Sequence, residues 1–87
     1  MNPQLEFETD SRGLSFCEEI ARIMMREFTI PYPEAVGRIN RHWRGQSIIG
    51  DDIVYHEDGF FWANDIYYGG DSSWWRKLPG LKPLPYP

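Results

Sequence analysis

Asp58-Gly59-Phe60-Phe61-Trp62-Ala63-Asn64-Asp65-Ile66-Tyr67-Tyr68-Gly69-Gly70 is the stretch on which the fold turns. Read as a helix over about 59–68, it carries its own boundaries: Asp58 suits an N-cap and Gly69-Gly70 a stop. Helical spacing then gathers Trp62, Ala63, Ile66 and Tyr67 into one apolar stripe and leaves Asn64 and Asp65 outside it. The alternative is a β-hairpin with strands over 53–57 and 60–67, closed by Asp58-Gly59, a pair that favours the type I′ turn. Consecutive Phe60, Phe61 and Trp62 break the alternation a half-buried strand needs, so the helix is preferred. The first reading gives a mainly α chain and the second an α+β one.

Upstream, the evidence for helices is stronger. Ser15-Phe16-Cys17-Glu18 has capping-box spacing, and from there Cys17, Ile20, Ala21, Ile23, Met24 and Phe28 fall on one arc opposite Glu18, Glu19, Arg22 and Arg26. A helix is expected over 16–28. Pro31 and Pro33 cannot continue it, because proline lacks an amide donor and pushes its predecessor out of the α region. Pro33 fits the first turn of a second helix over 33–44, with the stripe Ala35, Val36, Ile39 and Trp43. Glu34 complements its positive end, Arg41, His42 and Arg44 its negative end, and Gly45 ends it. The expected architecture is a small helical bundle in one domain, 1–87: an α-hairpin (16–28, 33–44), an aromatic third helix, a lead-in over 1–11 and an extended proline-rich tail over 78–87. Ile20, Met24, Phe28, Val36, Ile39 and Trp43 are its expected core.

Composition narrows the functional classes. Among 87 residues there is one cysteine, Cys17, so no disulfide framework is expected and a reducing cytoplasm is the default setting. No apolar run reaches the ~20 residues of a bilayer span, and Met1 to Asp10 lacks the pattern of a signal peptide, so no membrane partner is expected. Charge alternates in blocks: residues 1–19 carry −4, residues 34–46 carry +2, residues 51–71 carry −6 and the tail 72–87 carries +3. Arg22, Arg26, Arg38 and Arg41 are candidate partners for the acidic block 51–58. The distinctive number is aromatic content, 16%, since each large ring brings ~150–250 Å² of surface that must be covered by the fold or by something else.

Catalysis has the weakest support. Cys17 sits on the apolar arc of the first helix and reads as packing, and His42 and His56 show no metal-ligand spacing. His56 and Glu57 with Asp51 or Asp52 could form an acid/base cleft, but a solvated loop is the simpler reading. No cofactor loop is present, so no catalytic residue, cofactor or metal is expected. Nucleic-acid binding has one argument, the basic stripe Arg38, Arg41 and Arg44 with His42 on the second helix of a helix-turn-helix outline. Against it stand the net charge of −4 and the acidic segment that follows. Protein recognition accounts for more residues. Two adjacent indoles, Trp74 and Trp75, are hard to bury together, and the tail residues Pro83, Pro85 and Tyr86 could lie in an aromatic groove in cis or on a second copy. A self-associating protein-binding domain, working as a homodimer, is the expected function.

Overall fold

Asp10 opens the first helix in the computed structural model, which describes residues 4–87; Met1–Pro3 of the expected lead-in lie outside the described residues. Its carboxylate accepts from the Gly13 amide at 2.9 Å, so helix α1 runs Ser11–Phe28 and begins five residues earlier than the capping-box reading. Asp caps as well as Ser, and Asp10 carries a second bond from the Gly50 amide at 2.8 Å that Ser15 has no counterpart for. Ser15 and Glu18 are therefore interior helix positions. The Glu18 carboxylate instead accepts from Arg22 at 3.1 Å and from the Tyr32 hydroxyl at 2.6 Å, tying α1 to the next helix.

Thr29, with φ of 55°, caps α1 in the left-handed region, and helix α2 follows over Tyr32–His42 with Pro31 as its N-cap. It stops two residues short of the expected 44, at Trp43, and Gly45 (φ 79°) turns the chain away. The decisive stretch is helix α3, Gly59–Tyr68, capped by Asp58 through the Phe61 amide at 2.9 Å and ended by Gly69. No hairpin forms: Ile53–His56 is a 3₁₀ turn whose N-cap is Asp52. A short lead-in pairing was not anticipated from sequence. Strand β1 (Glu8–Thr9) lies parallel to β2 (Ser47–Ile48), pairing Glu8 with Ser47 and Thr9 with Ile48, and the Thr9 hydroxyl donates to the Ile48 carbonyl at 2.7 Å.

The protein is thus a small, mainly α domain with α1 at its centre, packed against both α2 and α3. Cys17, Ile20, Ala21 and Met24 of α1 meet Ala35, Val36 and Ile39 of α2 and Ala63 and Ile66 of α3, with Trp43, Ile48 and Val54 closing the ends. Phe28, expected in this core, is only half-buried; its ring stacks on Tyr67 at 3.8 Å. The Cα radius of gyration, 12.4 Å, is close to the ~12 Å expected of a compact chain of this length. Among the described residues no helix is long and apolar enough to cross a membrane.

Three placements correct the sequence reading. Asn64 is buried rather than outward, and its amide donates to the Phe60 carbonyl at 3.0 Å. Arg22, Arg26 and Arg38 pair with Glu18, Glu27 and Glu34 and not with the acidic block, whose Asp51 is met by Arg12 at 2.8 Å. Arg41 donates to a tail carbonyl instead. Neighbours on the same helix reach one another without loop ordering, which is why these pairs form in preference to distant ones.

Candidate functional site

Two surfaces collect the side chains singled out by sequence, and they lie on different parts of the fold. The first is built where α3 meets the chain after it. Trp74-Trp75-Arg76 forms a 3₁₀ turn bracketed by Ser73 (φ 53°) and Lys77 (φ 52°), both in the left-handed region that non-glycine residues rarely adopt. The two indoles stand edge-on to each other, ring centroids 5.7 Å apart, but differ in exposure. Trp74 is half-buried, its Nε1–H donating to Asp65 at 3.1 Å and its ring edge-on to Phe61 at 5.5 Å. Trp75 points out and is 55% exposed.

Beside Trp75 stand Phe60, 48% exposed, and Leu78, 50% exposed. With Tyr68, Trp74 and Leu81 they line a depression of about 350 Å³. Phe60 and Leu78 were missed from sequence. The signal for Phe60 was weak, since at helical spacing it falls at the edge of the stripe beside Tyr67 while Phe61 falls opposite the stripe. Leu78 gave none, because only the turn after Trp75 brings it there.

The second surface is the tail on α2. Leu84 donates its amide to the Tyr67 carbonyl at 2.9 Å, Arg38 reaches the Leu84 carbonyl at 2.9 Å and Arg41 the Pro85 carbonyl at 2.7 Å. The tail therefore packs in cis. Arg38 is the pin: only 4% exposed, it also donates to Glu34 at 2.9 Å and lies against the rings of Tyr67 (4.8 Å) and Tyr86 (5.4 Å). The basic stripe expected on the outside of α2 thus loses its first member to the interior. Arg44 and His42 are exposed and Arg41 is half-buried, while Pro83, Pro85 and Tyr86 remain largely at the surface.

His42 sits edge-on to Trp43 at 5.4 Å and to Trp62 at 6.1 Å. His42 keeps part of its surface in water, but the loss of hydration where it meets these rings pulls its pKa below the ordinary histidine value; Asp65 opposes this and Arg41 assists it. Burial pushes the Cys17 thiol up to about 12, so at neutral pH it is a packed thiol and not a thiolate nucleophile. His56, Glu57 and Asp51 are exposed, and Asp52 is occupied in capping Val54 at 3.0 Å. Among the described residues no group of three or more His, Cys, Asp or Glu is placed to hold a metal ion. Comparison with protein-family models, curated proteins and solved structures finds no match for this chain.

Proposed function

We propose that this chain is a protein-binding domain that pairs with a second copy of itself through the face made by Phe60, Trp75 and Leu78. The observation that carries the reading is the clustering of these three side chains, each about half exposed, around one depression. Apolar side chains scattered singly over a surface need no explanation, whereas a contiguous group containing an outward indole is the composition of an interface anchor. A two-fold contact needs a surface that complements itself. This face offers a projecting ring, Trp75, next to a hollow, so each copy can seat its indole in the other's depression. Asp65 fixes the neighbouring Trp74 through its indole N–H, and the Ser73 carbonyl accepts from the Arg76 amide at 2.9 Å, so the backbone that carries Trp75 is held in place.

The test is solution mass by light scattering over a dilution series, for the unchanged chain and for Trp75→Ala. Dimer mass, lost in Trp75→Ala while the helical circular dichroism stays, is the expected result. A monomer at all concentrations removes the second copy as the occupant. A dimer indifferent to Trp75→Ala and to Phe60→Ser moves the interface elsewhere and ends this reading.

A further inference from the structure

A concavity separate from both the Trp75 face and the core lies along α2, between the lead-in and the tail. It encloses about 760 Å³, within the ~300–1,000 Å³ of small-molecule sites. Its floor is Val36 and Gly37. Both walls are fastened from below by α2. Asn40, itself 5% exposed, accepts from the Glu6 amide at 2.8 Å and donates to the Gln4 carbonyl at 3.0 Å, which fixes the lead-in wall. Arg41 holds the Pro85 carbonyl at 2.7 Å, which fixes Tyr86 on the other side. Gly37 lets that tyrosine come close, since a β-carbon there would collide with the Tyr86 hydroxyl.

The groove's chemistry is polarised. Arg41 has guanidinium N–H groups left after its single bond to Pro85, and Arg44 makes no hydrogen bond or ion pair among the described residues. Glu6 is the one side-chain carboxylate among the described lining residues, which also include the C-terminal Pro87, and it faces two guanidinium groups in a chain whose net charge is −4. A guanidinium pair beside tyrosine rings and an apolar floor recognises an acid group attached to a flat apolar body. We infer that this groove binds a small aromatic anion, its carboxylate or phosphate on Arg41 and Arg44 and its ring against Tyr86 and Val36. This site is separate from the proposed self-association face.

Phenyl phosphate, benzoate, benzyl alcohol and inorganic phosphate, titrated into the intact chain and followed by amide chemical shifts, test it. Phenyl phosphate or benzoate should move Gly37, Asn40 and Arg41, and whichever binds better identifies the acid group. Arg44→Gln should weaken that binding about tenfold, the loss of one charge-assisted contact, and Glu6→Gln should strengthen it. Gly37→Ala should weaken it with Arg44 intact, because the Tyr86 wall is displaced. Equal binding of benzyl alcohol shows an apolar cleft without anion recognition, and equal binding of inorganic phosphate shows surface charge alone. Either result overturns the inference, as do an unchanged affinity in Arg44→Gln and an absence of shifts at millimolar ligand.

Discussion

The hydroxyl of Tyr86 occupies the space that a side chain at Gly37 would need, although the two residues are far apart in sequence and Gly37 lies in mid-helix. Glycine there costs α2 some of its intrinsic stability, and in return the tail can lie directly on the helix. The contact joins the tail to the same helix from which Arg38 and Arg41 reach the Leu84 and Pro85 carbonyls.

Gly37→Ala should lift Tyr86 off α2 and leave the three helices in place. The informative comparison is a double-mutant cycle, because alanine is the better helix former. In a Tyr86→Ala background, Gly37→Ala should stabilise by about 0.5–1 kcal/mol, and in the unaltered chain that gain should vanish or reverse. Equal effects in both backgrounds would show that the residues do not interact.

Arg38→Gln should be the costliest single change on α2. It leaves Glu34 without its partner and the Leu84 carbonyl without a donor, in a place where the arginine is 4% exposed. About 3 kcal/mol is expected from breaking such a pair on one side, read as a lower urea midpoint with faster hydrogen exchange at Leu84. A change within about 0.5 kcal/mol, the range of ordinary surface substitutions, would contradict the pinning role.

Cys17 should be silent toward dithiobis(nitrobenzoate) in the native chain and react at once in denaturant. Its pKa of about 12 and its burial in α1 both withhold thiolate. Rapid labelling of the folded protein at about pH 8, near the free-thiol pKa, would show that α1 opens there.

His42 makes stability depend on pH on the acid side of neutrality. Its folded pKa lies below the unfolded value of about 6.5. The unfolded chain therefore takes up the proton first, and the stabilisation, present above about pH 6.5, is lost as pH falls through the folded value. Urea midpoints should decline as pH falls below about 6.5, and His42→Gln should flatten that decline. Asp10 acts in a separate window. The Gly50 and Gly13 amides hold its carboxyl below 3.8, so its contribution is present above that value and goes only in stronger acid. An unchanged slope in His42→Gln would assign the acid loss to other groups.

The helical class, the end of α1 at Phe28, both ends of α3 and most of the core were readable from residue order, because caps, prolines and apolar spacing act within a few positions. Where a cap competed with a distant partner, local reading failed. Ser15 and Glu18 match the capping box, yet Asp10 wins through Gly50, a bond that exists only once the chain has folded back. The buried Arg38 was equally hidden. A basic residue on a helix is normally solvated, and only the tail carbonyl and two tyrosine rings make its burial tolerable.

Sequence by itself therefore determined that the chain is mainly helical, where α3 begins and ends, and that two neighbouring indoles would be hard to bury together. Tertiary structure decided which indole stays outside, that Phe60 and Leu78 join it, and that the proline-rich tail lies on its own α2 with a groove beside it. The physical reason is one of range. Capping and periodicity are set by neighbours along the chain, whereas the exposure of a ring or the pairing of a guanidinium depends on segments brought together from opposite ends of it.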